Sequence, residues 1–280
     1  MYKKILAAVN EYSNSQVAAK YAISLAKSCQ ARLFLVFVAP EGFPVEQVKP
    51  AEAALEKLFI EAGKQDLEVE SITKRGEPYR KIRETVTEKG VDLVFAATRR
   101  EDVRKRYFIR TLARELMLKL PCSVALVRVV HPGRISPKKI LVPFRGLLTN
   151  LGERACFVAK LAEGFGAHVT MFHAPKSITG FFHGEVHLPP EEWEAHIRQD
   201  MEKFLQCLEK YKIPHDKRTG QGRVGSAINI EAALRRNDLI VMGASERSLL
   251  RSVITGNPVE EVLRETPCNL IILLPRLEQS

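Results

Sequence analysis

The sequence predicts an α/β protein built as two tandem open parallel sheets of five strands, each with helices on both faces. Three observations lead there. Short runs rich in Val, Ile and Leu alternate with helical patterns along the whole chain, as βαβ units around a parallel sheet require. Stretches also recur. Lys3-Lys4-Ile5-Leu6 returns as Lys138-Lys139-Ile140-Leu141 and Ala39-Pro40 as Ala174-Pro175, both at an offset of 135, while Val91-Asp92-Leu93-Val94 is answered by Asn237-Asp238-Leu239-Ile240 and Leu120-Pro121-Cys122 by Thr266-Pro267-Cys268 at an offset of 146. Finally, 280 residues are long for one core and suit two domains of common size.

In copy one the apolar runs place strands near 3–9, 32–38, 67–73, 91–97 and 123–129. Ser13-x-x-Gln16 has the spacing of a capping box and opens a helix to Cys29; the Ala- and Leu-rich pattern from Pro50 to Gly63 makes a second. Helices near 77–89 and 111–119 complete the unit. Copy two repeats the plan with strands near 138–144, 167–173, 213–219, 238–243 and 269–274, and its second helix, Pro190 to Lys212, is the longest. The change of offset means a net insertion of 11 residues in copy two, placed at 176–190. His131-Pro132-Gly133-Arg134-Ile135-Ser136-Pro137 carries two prolines and a glycine and reads as a linker. The expected domains are therefore 1–130 and 138–280, joined by 131–137.

Composition narrows the function classes. A hydrophobic share of 45% with 27% charged residues is that of a soluble globular chain, and no apolar run approaches membrane-spanning length. The N-terminus enters a strand pattern directly, without the longer apolar region of a signal peptide, so a cytoplasmic location without membrane insertion is expected. Five cysteines, Cys29, Cys122, Cys156, Cys207 and Cys268, show no Cys-x-x-Cys spacing, which argues against a disulfide framework or zinc knuckle and for buried thiols. A formal net charge of +10 favours anionic partners without choosing among them.

The run ending in Val241-Met242-Gly243 reads as a buried strand. Ala244-Ser245-Glu246 opens a loop after it, and Gly256-Asn257-Pro258 reads as a helix cap with proline at the first helical position. Strand, loop and helix N-terminus together can hold an anion, because first-turn N–H groups lack helical partners and the helix dipole is positive there. At these residues the chain resembles the universal stress protein family, whose nucleotide-binding members carry Gly-x2-Gly-x9-Gly-Ser/Thr. Gly243 and Gly256 stand at the matching separation, Glu246 replaces the middle glycine and Asn257 the hydroxyl residue. Five strands and four helices, twice, extend the resemblance over nearly the whole chain.

The resemblance implies a Rossmann-like sheet with adenine nucleotide, such as ATP or AMP, at the carboxyl ends of the strands. For copy two it marks Pro143, Arg145, Ala174, Met242, Gly243, Ser245, Glu246, Gly256, Asn257 and Pro258 as the candidate site. Arg145 stands where the family has an aspartate toward the adenosine, and offers a cation that cannot accept a hydrogen bond. Arg247 and Arg251 would neutralise phosphate; Glu246 would repel it. In copy one the aspartate position is Asn10, and the loop positions are Ala97, Arg100, Arg110 and Thr111. Without the glycines no backbone cradle is expected there. The resemblance also implies that the copies pair through their last strands, Val124–Val127 with Leu270–Leu273, with a homodimer of the whole chain as an extension.

The loop with Arg99, Arg100, Arg104, Lys105, Arg106 and Arg110 reads either as a solvated loop or as a site for an anion or acidic partner; without an aromatic ladder beyond Tyr107 and Phe108, nucleic acid is disfavoured. In the insertion, His183, Glu185 and His187 have a metal reading and a bland one, a flap packed through Phe181 and Phe182, and no metal is expected. No nucleophile motif or Gly-x4-Gly-Lys-Ser/Thr is present, and slow ATP hydrolysis has no convincing general base. Two functions follow as expectations. One is a non-catalytic stress-adaptation protein with a degenerate adenine-nucleotide site in copy two. The other is a nucleotide-independent interaction module acting through loop 99–110 or flap 176–190, with a membrane transporter as one partner, since Gly256–Leu263 resembles stress-protein domains appended to transporters.

Overall fold

The computed structural model describes residues 2–98, 111–144, 150–174, 190–245 and 258–276. Copy one runs β1 (Lys4–Ala8), α1 (Ser13–Cys29), β2 (Arg32–Ala39), α2 (Val45–Gly63), β3 (Val69–Arg75), α3 (Pro78–Lys89), β4 (Leu93–Ala97), α4 (Leu112–Lys119) and β5 (Ser123–Arg128). Copy two runs β6 (Lys139–Phe144), α5 (Leu151–Phe165), β7 (His168–His173), α6 (Pro190–Lys210), β8 (His215–Thr219), α7 (Val224–Leu234), β9 (Leu239–Gly243), α8 (Pro258–Glu265) and β10 (Asn269–Leu274).

The strand order is β3-β2-β1-β4-β5-β10-β9-β6-β7-β8. Each five-strand half is parallel throughout, and the halves join where β5 and β10 pair antiparallel, with Ile272 opposite Leu126 and Leu273 opposite Ala125. Two five-stranded sheets thus become one ten-stranded sheet, through the last strands that the resemblance implied. Chemistry sorts the strands across it. β5 (SVALVR) and β10 (NLIILL) are buried on both faces, as central strands under helices must be. The outermost strands, β3 (VESITKR) and β8 (HDKRT), are nowhere fully buried and carry polar and charged side chains along most of their length, which discourages further strand addition.

One sheet face carries α1, α2, α5 and α6; the other carries α3, α4, α7 and α8. Both apolar layers pass through both copies, so the junction belongs to a continuous core. Across it, Phe157 of α5 stacks on Phe95 of β4 at 6.1 Å and meets Tyr2 edge-on at 6.4 Å. Gly164 of α5 lies so close to Ser24 and Ser28 of α1 that a side chain there would collide with that helix's backbone. Glu153 of α5 is buried at the same seam and accepts hydrogen bonds from Tyr2 Oη (2.6 Å) and Ser123 Oγ (2.5 Å). Ser123 Oγ in turn accepts from the Arg276 N–H at 2.8 Å. The segment 131–137 is held as well: Asn269 Oδ1 accepts from the N–H groups of Val130 and His131, both at 2.9 Å, and its Nδ2 donates to Tyr21 Oη and to the Arg134 carbonyl.

Local expectations needed three corrections. Ser13 is the first helical residue and Tyr12 the cap, so the capping box does not form; instead Ser15 Oγ accepts from Asn10 N–H at 3.0 Å while Asn10 Oδ1 accepts from Tyr12 N–H. Helix α2 starts at Val45, five residues before Pro50, so Pro50 sits inside it and takes away a helical N–H. Of the cysteines, only Cys122 and Cys268 are buried, the others half-buried, and all five are free thiols. Burial pushes the thiols of Cys122 and Cys268 up to about 12 and that of Cys29 to about 11, so these three are not ready thiolates. Among the described residues no helix is long and apolar enough to cross a membrane, and no cluster of His, Cys, Asp and Glu could hold a metal. His183, Glu185 and His187 lie outside the described residues.

Candidate functional site

The parallel register of β6 with β7 and β9 brings three strand ends together in copy two. Pro143 pairs with Phe172 near the end of β6, and Ala174 follows β7, buried. Met242 is buried and Gly243 ends β9. Ser245 lies exposed two residues on, and Pro258 is the first residue of α8, half-buried. These six positions have a structural place; Arg145, Glu246, Gly256 and Asn257 lie outside the described residues. His173 closes β7 with Nδ1 3.0 Å from the Phe144 carbonyl, a backbone tie and not a catalytic disposition.

Gly243 has a specific neighbour. A Cβ built on it would fall inside the guanidinium of Arg154, from α5. Arg154 Nη2 donates to the Ala244 carbonyl at 2.7 Å, and the residue is 6% exposed. Burial lowers its pKa to about 10, opposed by Glu153 and Tyr2, so the guanidinium remains charged at neutral pH. The backbone φ of Gly243 is not in the left-handed region, so the missing side chain provides room and not conformational freedom. The room is taken by an arginine of the same chain.

Sequence reasoning missed Arg154. Its signal was present, because positions 157, 158, 161 and 162 are the buried face of α5 and 154 precedes them at helical spacing. A charged residue on that face needs a partner at the sheet, and the end of β9 supplies it.

Copy one keeps an open cleft at the equivalent place, a cavity of about 330 Å³ at the ends of β1, β2 and β4. Its walls include Val36, Phe37, Ala96 and Leu116, with Asn10, Glu11, Ser15 and Thr111 as polar groups. Three of these already serve the backbone, Ser15 among them through the Asn10 N–H, while Glu11 brings a carboxylate to the wall. Asn10 Oδ1 holds the turn into α1, and Thr111 Oγ1 caps α4 by accepting from Arg114 N–H at 3.3 Å. Ala97 ends β4 where copy two has Gly243. The basic residues at 99–110 lie outside the described residues.

A doubly wound parallel sheet, repeated and joined edge to edge, with its cleft at the carboxyl ends of the strands, defines a tandem α/β protein of the Rossmann-like class. The model of the universal stress protein family matches residues 1–128 and again 137–273, and this chain belongs to that family. A universal stress protein from Archaeoglobus fulgidus shares the fold with a TM-score of 0.64 at 15% identity, covering 96% of this chain and 95% of that one. The cytoplasmic domain of a prokaryotic cation chloride cotransporter shares it with a TM-score of 0.58 at 13% identity, covering 100% and 98%. By sequence, the chain is 26% identical over 201 residues to the Na(+)/H(+) antiporter NhaS5 of Synechocystis sp., a match over 69% of this chain. It spans only 26% of the antiporter's length. Family membership supports a stress-related role.

Proposed function

We propose that this chain acts in stress adaptation as a non-catalytic interaction module that works without bound nucleotide, and that a membrane transporter is the class of partner it serves. The observation that carries the reading is Arg154. Its guanidinium, tied to the Ala244 carbonyl at 2.7 Å, occupies the approach to Gly243 that a phosphate would use. Copy one offers no substitute, since its strand end carries Ala97 and the cleft wall is largely apolar. Support for the partner class comes from the likeness to NhaS5 and from the fold shared with the cotransporter domain. Loop 99–110 and segment 176–190 are the contact segments this reading assigns. Isothermal titration with ATP, ADP and AMP should give no heat at millimolar nucleotide. Crosslinking in intact cells followed by mass spectrometry should recover an integral membrane transporter; nucleotide carried through purification, or crosslinks only to other proteins, would overturn the reading.

A second reading keeps copy two as a degenerate adenine-nucleotide site formed by Pro143, Arg145, Ala174, Met242, Gly243, Ser245, Glu246, Gly256, Asn257 and Pro258. What favours it is the convergence of Pro143, Ala174 and Gly243 on one sheet edge beside a fixed cation. The readings separate at Arg154→Met. If the guanidinium is a plug, the variant gains nucleotide affinity; if it is a phosphate anchor, wild type binds and the variant loses at least about tenfold, the usual worth of a charge-assisted bond.

A further inference from the structure

We propose that the exposed face of α7 is a docking surface for an acidic amphipathic helix of a partner protein. The proposal rests on the partner-binding reading above and gives it a surface in addition to the two segments named there. The duplication supplies the control. At the offset of 146, α7 corresponds to α3, and both helices bury the same side: Ile82 and Val86 in one, Ile228 and Ala232 in the other. Their outward faces differ. In copy one this face carries Glu84, paired with Arg80 at 3.0 Å and Lys81 at 2.8 Å, and Glu88, paired with Lys74 at 3.0 Å. In copy two the same two positions are Ile230, 57% exposed, and Leu234, 72% exposed, with exposed Ala233 beside them.

The fold therefore does not require apolar groups there, because copy one builds the same helix with carboxylates. Ile230 and Leu234 are four residues apart, one above the other on a single helix face, which suits the apolar stripe of another helix. Scattered exposed aliphatics are ordinary; a pair in register, where the sister helix has two ion-paired carboxylates, is not.

Charge selects the occupant. Arg235 and Arg236 follow Leu234 directly, and Lys139 reaches the same helix end, its Nζ 3.5 Å from the Arg235 carbonyl. Glu231 is engaged by Arg235 (3.6 Å) and Arg218 (3.8 Å) and Asp238 by Arg134 (3.6 Å), which leaves Arg236 and Lys139 outside any ion pair among the described residues. Arg236 holds φ at 51°, where copy one has Gly90 at 64°, so a side chain is kept in a conformation that favours glycine. An aliphatic pair with a cationic end matches a helix carrying apolar residues at i and i+4 and carboxylates beside them. A second copy of this chain would bring the same cations and a net charge of +10. A membrane-surface helix would carry a broader apolar face than this one.

The test is fluorescence anisotropy with a labelled synthetic helix of about 18 residues, long enough to be marginally helical alone, with leucine at every third and fourth position and glutamate elsewhere. The titrated protein is the full chain. Saturable binding is expected, weakened at least about tenfold in Ile230→Glu with Leu234→Glu, from the apolar area lost. Arg236→Gly should weaken it about two- to fivefold with reduced salt dependence. The double variant takes copy one's residues, so its circular dichroism and melting temperature should match wild type. Should it fail to fold, the reciprocal change Glu84→Ile with Glu88→Leu must add a second binding equivalent. Unchanged affinity in the folded double variant, equal affinity for a lysine version of the peptide, or a failed second equivalent would overturn the proposal. So would binding of anionic vesicles, or a concentration-dependent dimer, that the double variant abolishes while the peptide does not bind. Unchanged peptide affinity in the folded double variant, with a transporter still recovered by crosslinking, would end this proposal and leave the partner-binding reading standing.

Discussion

Gly243→Ala places a methyl group where Arg154 already lies, so one atom group must move. Moving the guanidinium breaks its bond to the Ala244 carbonyl and strains a packed seam, which should cost about 1–3 kcal/mol of stability, readable in urea unfolding. Combined with Arg154→Ala, the same substitution should be nearly neutral, giving a coupling of at least about 1 kcal/mol. Additive losses would mean that the two residues do not share space. Titration gives a second test at this scale. Burial raises Tyr21 from 10.0 to about 12, partly offset by its bond with Asn269. An acid whose pKa is raised on folding leaves stability untouched below its unfolded value, where both states hold the proton. Above it the unfolded state releases the proton first, so stability falls as pH rises from about 10 to 12. Melting temperature measured across that window should fall less steeply in Tyr21→Phe than in wild type.

Among the elements, the central strands were legible because they carry unbroken Val, Ile and Leu, whereas the charged outer strands β3 and β8 were placed by the repeating order of the elements. Helix starts were harder to read. The capping box at Ser13 failed because Asn10 and Ser15 fix the turn just before α1 through the N–H groups of Tyr12 and Asn10, and the helix then begins at Ser13 itself, with Tyr12 as its cap. The start of α2 was misplaced because proline is a good first residue and a poor later one, and spacing alone cannot tell which applies. Pro50→Ala should therefore stabilise α2 by about 1–3 kcal/mol through the restored N–H, measured by chemical denaturation. No gain would mean that the turn before Pro50 contributes nothing. The site was legible in outline only. Gly243 announced a close approach of something, but the approaching group comes from a helix some ninety residues earlier, and no local pattern joins the two.

At the scale of the molecule, the duplication solves a problem that each half has alone. A five-stranded half ends in a strand that is apolar on both faces, β5 or β10, whose free edge would present unpaired backbone groups beside Val, Leu and Ile. The chain covers each of these edges with the other, and leaves at its two outer limits the charged strands β3 and β8. The seam is then fastened by polar groups from both copies, Tyr2 and Ser123 on Glu153, Tyr21 on Asn269. If the antiparallel pair is what keeps the halves soluble, residues 1–130 produced alone should not stay monomeric. They should form a dimer by pairing β5 with β5 across a twofold axis, because that edge accepts an antiparallel strand of nearly identical shape. Sedimentation velocity would show the dimer, and adding residues 138–280 should convert it to a one-to-one complex, since only the other half restores the bonds to Glu153 and Asn269. A monomeric half that stays soluble, and ignores its counterpart, would mean that the ten-stranded sheet is held by the linker and not by the pairing at its centre.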